Sequence, residues 1–383
     1  NFYIIAPACK KEKLERVRRN LAEKLLDAHN GEIYIALSDI GLKPCDFNDF
    51  TNNWRKVGEK TAKLKRIKWS EINLLSNYEK IFGPLDEGTL DKNRCSVCGI
   101  SSSQRDIRSI SDGEDICDLC SSFRDLTDKL KDAKYISFSK VTKDEKSSTY
   151  NNIFRLFGYE VDMYKELPKL ANSCSIYKIN STDYLEEGCT GFKFGAYNLP
   201  IVVDKDDKRE RVVTFEELAE RSINEGIGDK KLGYLKLDVD NLGSIFINGL
   251  KENKSIIHVA SLSRMLGLFF EGYINKMLDE LNLKDKIYIV FSGGDDTFII
   301  GAWNSTLTFC EKLYDKFKKY TCNNPSITFS ASLGVYRYNY PVVKAAANSE
   351  EQLEKAKGYI GKGEERPQKN KVSLFGEVFN WTE

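Results

Sequence analysis

The residues best suited to do chemistry are a short run of small and acidic ones, Ser292-Gly293-Gly294-Asp295-Asp296, set between two apolar stretches. Two glycines permit a tight hairpin with positive φ, and without side chains they let a bulky triphosphate approach the backbone. Asp295 and Asp296 then project from the turn. Upstream, residues 234–240 alternate: Leu235, Leu237 and Val239 face one way, Lys236, Asp238 and Asp240 the other. Carboxylates crowded together repel one another unless a cation neutralises them. Oxygen-only ligands suit Mg²⁺ or Mn²⁺, which bind through a few carboxylates plus substrate phosphates. Two such ions on Asp238, Asp295 and Asp296 would activate a ribose 3′-hydroxyl and stabilise a departing pyrophosphate. Gly-Gly-Asp-Asp alone is simply a good hairpin turn; the acidic strand and the spacing between them carry the chemical reading. Asp240-Asn241 also reads as a strand end. Asn241, Leu242 and Gly243 form a turn whose backbone could receive phosphates, or an ordinary surface turn.

A second cluster is Cys95-x-x-Cys98 and Cys117-x-x-Cys120, with eighteen residues between the pairs. That is the spacing of a four-thiolate zinc ribbon, in which each pair forms a knuckle and the loop between closes back on the metal. Gly99 suits the tight turn of such a knuckle. A closed tetrahedral set leaves no open position for catalysis, so the expected role is a structural Zn²⁺. The remaining six cysteines (Cys9, Cys45, Cys174, Cys189, Cys310, Cys322) are scattered and read as buried free thiols of a reducing cytoplasm.

The elements that must position these residues are clearest in the last 160 or so residues. A strand over 234–240 is followed by a long helix over 255–281, a strand over 286–291, the glycine turn, and a strand over 297–302. Helix 306–320, strand 326–335, helix 341–357 and strand 371–375 follow. This βαββαβ order is the split-βαβ, ferredoxin-like unit with an extra helix and strand. Residues 2–40 read as strand (2–6), helix (11–28) and strand (32–38), with Gly31 ending the helix, which suggests a weak internal duplication. Strands are expected at 135–138 and 175–179. The charged run 204–211 reads as a solvated loop or linker. Residues 54–69 form a basic stretch with Arg55, Lys56, Lys60, Lys63, Lys65, Arg66 and Lys68 against the single acid Glu59. A helix with a solvated basic face explains it, as does a contact with RNA phosphates or an acidic partner.

Composition sets the outer limits. The 383 residues suffice for two or three domains, and with 41% hydrophobic and 30% charged residues they describe an ordinary globular chain. A formal net charge of +1 means that any polyanion contact must come from local patches. No apolar run approaches the roughly 18 residues of a membrane span, and no signal peptide is evident. A chain that opens without Met, inside a strand, implies further residues upstream.

Residues 237–243 (Leu237-Asp238-Val239-Asp240-Asn241-Leu242-Gly243), followed by residues 291–296, resemble the palm of the large subunit of type III CRISPR–Cas effector complexes, in particular the type III-A (Csm) form. The resemblance covers nearly the whole chain: the opening at 2–7, the cysteine insert, and Lys369-Asn370 with residues 372–376 as the closing strand. It implies an α+β fold of two ferredoxin-like (palm, nucleotidyl-cyclase-like) domains with a zinc-ribbon insert. The first palm-like domain would occupy 1–90, the insert 91–124, the remainder of that domain and a connection 125–210, and the second palm 211–383. It implies synthesis of cyclic oligoadenylate from ATP once target RNA is bound, with the metals on Asp238, Asp295 and Asp296. Ser292, Gly293, Gly294, Asn241, Gly243 and Lys369 would contact the nucleotide. Implied partners are the other subunits of the effector complex, notably the small RAMP subunit that caps the guide-RNA 5′ end, together with guide and target RNA, in the cytoplasm. Members usually begin with an HD nuclease domain. Here His29 and His258 are the only histidines and neither adjoins an Asp, so deoxyribonuclease activity is not expected of this chain. The family's helical C-terminal domain is likewise expected to be missing after Glu383. Two other readings are a GGDEF-like cyclic-dinucleotide cyclase and a non-catalytic scaffold for RNA and subunits. The Gly-Gly-Asp-Asp-Thr turn and the zinc ribbon argue against the first, and the intact acidic set against the second.

Overall fold

A computed structural model of the chain describes residues 3–48, 50–83, 94–101, 105–109, 114–141, 150–169, 174–185, 188–204, 208–250, 255–361, 365–366, 368–382. The chain divides into two compact units, residues 1–47 with 52–193, and residues 48–51 with 194–383.

In the first unit, α1 (Lys11–His29) buries Ala22, Leu25, Leu26 and His29, and Asn30 in the left-handed region (φ 49°) followed by Gly31 (φ 83°) ends it as expected. Ala22 and Leu26 pack with Trp69 and Ile72. The basic stretch forms α2 (Thr51–Arg66), and α3 (Tyr78–Phe82) follows. The cysteine segment holds β1 (Ile107–Ser109), β2 (Asp115–Cys117) and α4 (Asp118–Leu130). A sheet in the order β4-β3-β5-β6 is built from β3 (Tyr135–Lys140), β4 (Tyr159–Tyr164), β5 (Ser175–Ile179) and β6 (Gly191–Lys193), with α5 (Asn151–Arg155) between the first two. The strands expected at 135–138 and 175–179 are therefore present.

The strands expected at 2–6 and 32–38 are not. The described residues there lie outside any strand, and Ile4, Ile5, Ile33 and Ile35 are exposed. An apolar run becomes a strand only where a neighbouring edge takes its N–H and C=O groups, and among the described residues none does so here. The run 204–211 is also not a simple linker: β7 (Ile201–Val203) and β8 (Glu210–Val212) form a hairpin around it. Arg211 is held between Asp204 (3.1 Å) and Glu217 (2.7 Å). Glu217 in turn completes a capping box with Thr214 at the start of α6 (Phe215–Glu220).

The second unit is built on β9 (Lys231–Val239), whose sequence puts apolar side chains on both faces of a central strand. After it come α7 (Leu242–Ser244), α8 (Ile256–Gly267), a π-helical turn (Leu268–Tyr273) and α9 (Ile274–Glu280). Then follow β10 (Ile287–Gly293), β11 (Asp296–Ala302), α10 (Trp303–Tyr320), β12 (Phe329–Arg337), α11 (Val342–Gly358), β13 (Lys371–Leu374) and β14 (Glu377–Asn380). Among the described residues the sheet order is β10-β11-β9-β12-β13-β14. Its first four strands have the split-βαβ order anticipated from the sequence, and β13 joins β12 in parallel after α11.

Core packing orients this sheet. On one side Phe269, Phe270, Phe317 and Phe329, all fully buried, meet with ring centroids 5.1 to 5.4 Å apart. On the other, Leu232, Tyr234, Phe298 and Ile300 pack with Leu218, Ala219 and Ala345 of α6 and α11. The strand period of two continues this second face through Lys236 and Asp238 on β9 and through Asp296 on β11. The apolar layer thus gives way to charge towards the ends of the strands. Among the described residues no helix is long and apolar enough to cross a membrane.

The start of α10 lies against a glycine pair, Gly233 and Gly301, which are partners across β9 and β11. A Cβ on Gly301 would stand 2.7 Å from the Lys286 carbonyl oxygen and 2.7 Å from Thr306 Oγ1. Gly301→Ala is expected to destabilise the unit by roughly 1–3 kcal/mol, as overpacking against backbone does. Urea unfolding checks this; an unchanged midpoint would contradict the close approach.

Candidate active site and metal centre

The glycine turn is a two-residue hairpin. Gly293 pairs with Asp296, leaving Gly294 and Asp295 as the loop. Gly294 alone of the two has positive φ (65°), the requirement of a type II′ turn, whose hand matches the twist of the strands it joins. The turn is tied to the end of β9 by the Val239 N–H, which donates to the Asp295 carbonyl at 2.9 Å. A bulge at Val290 interrupts the ladder just before it.

Register brings the acids together. Asp238 and Asp296 are direct partners across β9 and β11, and Asp295 stands one residue away at the tip. Like charges directly opposite in an antiparallel pair are destabilising, and two lysines offset them. Lys357 at the end of α11 pairs with Asp238 at 2.9 Å, and Lys236 pairs with Asp296 at 2.8 Å. Lys236 also lies 3.5 Å from Glu350 and over the Phe291 ring at 4.8 Å. Among the described residues no lysine pairs with Asp295. Burial first, then the charges of Asp238 and Asp296, hold its carboxyl above the ordinary range. An all-oxygen donor set suits a hard divalent cation, although among the described residues the three carboxylates do not yet stand within 4.8 Å of one another as the cysteine sulfurs do.

Asp240 does something else. β9 ends at Val239, and Asn241 takes a left-handed conformation (φ 54°), so Asp240 turns into the core with 1% exposure. It accepts hydrogen bonds from Thr328 Oγ1 (2.7 Å), Ser330 Oγ (2.8 Å) and the Asn370 N–H (2.9 Å). Burial raises its carboxyl and these bonds, with the nearby Lys369 charge, oppose that rise. Asp240 keeps the face that the alternation gave it, bonded to Ser330, the cross-strand partner of Asp238, but it is buried there and its bond to the Asn370 N–H fastens the segment before β13. That bond also places Lys369 near the end of β9, although residues 362–364 and 367 lie outside the described set.

The other expected contacts fall as follows. Gly243 opens on free space, with nothing within 4 Å of an added Cβ. Asn241 begins the short helix α7. The Ser292 hydroxyl donates to the Phe270 carbonyl at 2.7 Å and meets Thr297 Oγ1 at 2.7 Å, so it faces the helix rather than the turn. His258 is exposed and hydrogen-bonds Ser255 at 2.8 Å. Lys357 and Glu271, whose carboxylate lies beside Gly293, escaped the sequence reading. A lysine at a helix end and a glutamate within a helix carry no signal without the tertiary fold.

The cysteine site has formed. The donor atoms of Cys95, Cys98, Cys117 and Cys120 all lie within 4.8 Å of one another. Cys98 and Cys117 sulfurs are 3.7 Å apart. That is close to the ~3.8 Å edge of a tetrahedron with ~2.3 Å metal–sulfur bonds, and far beyond the ~2.05 Å of a disulfide. Gly99 (φ 74°) makes the knuckle turn, its N–H donating to the Cys95 carbonyl at 2.9 Å. Burial works against ionising Cys95, yet backbone N–H groups of Cys98, Cys117 and Val97 outweigh it and bring the thiol down to about 6. Cys120 is pushed up, by burial first and then by bonds to the other sulfurs. Cys95 thus forms a thiolate readily, whereas Cys98 and Cys120, both pushed up by burial first, need a metal to ionise. Arg105 anchors this segment to α1 by donating to the Ala28 carbonyl at 3.0 Å. Elsewhere the expectation of buried thiols is corrected: Cys310 is buried, but Cys9, Cys45 and Cys322 are exposed, each on a helix edge or turn with no core above it, and Cys174 and Cys189 are half-buried.

The chain is similar to known proteins. Residues 231–370 match the second palm domain of Cas10/Cmr2, and residues 1–84 match domain B of the Csm1 subunit. The Cas10/Csm1 single-strand-specific deoxyribonuclease of a subtype III-A CRISPR system from Methanocaldococcus jannaschii is 31% identical across 100% of this chain and 52% of its own length. The chain belongs to the Cas10/Csm1 family. The Cas10/Csm1 protein of Enterococcus italicus is 26% identical over 90% of the chain and 42% of its own length. The chain thus spans about half the length of these Cas10/Csm1 relatives. A crystal structure of a Csm1–Csm4 cassette in complex with cA3 superposes with a TM-score of 0.69 at 20% identity, covering 97% of this chain and 46% of that one. A cassette in complex with one ATP gives 0.69 over 97% and 47%. At that identity the likeness is one of Cas10/Csm1 fold.

The thiolate site leads to a direct expectation for this Cas10/Csm1 chain. Elemental analysis should find about one zinc per chain, and Cys117→Ser should lose it together with several degrees of melting temperature. A metal-free preparation with four alkylatable thiols at these positions would contradict it.

Proposed function

We propose that this chain carries the nucleotidyl-transferase centre of a type III-A CRISPR effector and joins ATP into cyclic oligoadenylate. The observation that carries the reading is the facing of Asp238 and Asp296 across two strands, with Asp295 at the tip of a glycine hairpin beside them. Solved relatives have been crystallised with ATP, cA3 and cA4, which supports the same nucleotide chemistry here.

In this reading Asp238, Asp295 and Asp296 hold Mg²⁺ or Mn²⁺, which when bound would sharpen the attacking 3′-hydroxyl and balance charge on the departing pyrophosphate. The chain's own residues do the positioning. Gly293 and Gly294 keep the turn bare so that phosphates reach its backbone. With such ions on the carboxylates, Lys236 and Lys357, now paired with Asp296 and Asp238, would be free to meet phosphate charge, and Lys369 would add a third ammonium near the end of β9. Asn241 and Gly243 offer backbone N–H groups at the start of α7. Catalysis rests on orientation and electrostatics with no covalent enzyme intermediate. The four cysteines hold a structural Zn²⁺ that fixes the insert. The partners are a Csm4-type subunit, as in the solved cassettes, and guide and target RNA.

Incubating the protein, assembled with its complex and target RNA, with labelled ATP and Mn²⁺ tests the proposal. Oligoadenylate should form, and Asp295→Ala/Asp296→Ala should cut the rate at least ~100-fold, the scale of losing charge stabilisation at the reacting centre. Product from GTP instead would favour a dinucleotide cyclase. No product from either nucleotide would leave an RNA-organising scaffold.

A further inference from the structure

Each of the two lysines at the acidic site stands between two acids of different kinds. Lys357 Nζ is 2.9 Å from Asp238 on β9 and 3.0 Å from Glu354 on α11. Lys236 Nζ is 2.8 Å from Asp296 on β11 and 3.5 Å from Glu350 on α11. Both lysine side chains are largely buried, whereas the two glutamates, one helical turn apart, are open to water. The helix that carries Lys357 is itself fixed. Ala345, Ser349, Leu353 and Ala356 are buried where α11 packs on the sheet, and Ser332 Oγ on β12 donates to the Ser349 carbonyl at 2.6 Å.

In this structure the two ammonium groups are the counter-charges of the facing aspartates. Asp238 and Asp296 are each drawn to a lysine of their own, and the three carboxylates do not close up as the cysteine sulfurs do. A divalent ion that takes these oxygens must displace the lysines. A buried ammonium robbed of its partner is costly, and that cost would ordinarily oppose the exchange. Glu354 and Glu350 remove much of it, because each already lies beside the ammonium that has to move.

We propose that Lys357 and Lys236 are exchangeable counter-charges: each holds its aspartate until a divalent cation arrives, then passes to its glutamate on α11, so that the pair sets how tightly the site binds metal. This rests on the metal site proposed above and adds what governs its affinity. The lysines act through the aspartates and are positioning residues, not ligands. The sign of their effect follows from the charges. Removing a ligand or a supporting ion pair weakens metal binding, whereas removing a cation that competes for the same oxygens tightens it.

The test is Mn²⁺ binding to the full chain, read by electron paramagnetic resonance at about 0.15 M salt, where charges farther apart than ~8 Å are largely screened. Lys357→Met should tighten binding about 3- to 10-fold, the scale of releasing a partly buried ion pair. Lys357→Arg, which keeps the cation, should not tighten it. Lys355→Met removes a lysine of the same helix that donates to the Gly376 carbonyl instead, and should change affinity less than about twofold. In an Asp238→Asn background the gain from Lys357→Met should vanish, since the lysine acts through that aspartate. Lys236→Met repeats the comparison at Asp296 and carries the test if Lys357→Met fails to fold. Unchanged or weaker binding in either folded variant, or an equal gain in Lys355→Met, would overturn the proposal. The two proposals also separate. Binding that Asp238→Asn leaves untouched would remove the metal site and the exchange together, and binding that needs Asp238 but ignores both lysines would remove the exchange alone. Tightened binding without any oligonucleotide product in the assembled complex would uphold the exchange and remove the synthase reading.

Discussion

The interaction on which the second unit turns is a repulsion. Asp238 and Asp296 face each other across an antiparallel pair, an arrangement that ordinary sheets avoid, and Asp295 adds a third carboxylate at the tip. The register leaves little alternative. A slip of one residue would carry Leu235, Leu237, Ile299 and the other buried side chains of β9 and β11 to the wrong face. Hydrophobic packing thus enforces a charge cluster that would otherwise come apart. Lys236 and Lys357 satisfy part of it, and Asp295 keeps the remainder as a carboxyl held above its usual range.

Support for this arrangement comes from positions that do no chemistry. The glycine pair Gly233 and Gly301 lets α10 settle on the sheet. The buried Asp240 spends its carboxylate on Thr328, Ser330 and the Asn370 N–H, joining the end of β9 to β12 and to the approach of β13. A buried carboxylate with all its partners is rigidifying, and one robbed of them is costly. Two acids only two residues apart therefore have opposite tasks: Asp238 is held where a cation can reach it, and Asp240 is withdrawn where none can.

Much of this could be read from the residues. The alternation of β9, the glycine hairpin and the order of elements gave the sheet order and the facing of Asp238 with the turn, because strand period and turn chemistry are local. The cysteine spacing gave the thiolate cluster for the same reason. Asp240 lies on the face that the alternation gave it; its burial and its bonds to Thr328, Ser330 and Asn370 were not legible because those partners come from distant segments. The strands expected at 2–6 and 32–38 failed because pairing depends on a partner edge that sequence does not display. Lys357 and Glu271 were invisible because each reaches the site from a helix whose docking only the tertiary fold decides, and the π-helical turn that aims Glu271 has no pattern that periodicity can detect.

The most direct measurement is a Mn²⁺ titration of the purified protein, followed by electron paramagnetic resonance, with wild type, Asp238→Asn and Asp240→Asn compared at matched stability. If the facing carboxylates form the cation site, the wild type and Asp240→Asn bind Mn²⁺ alike, and Asp238→Asn weakens it about tenfold or more, the scale of losing one charged ligand. Unchanged affinity in Asp238→Asn, or a loss confined to Asp240→Asn, would contradict the assignment of the opposed pair as the centre of the site.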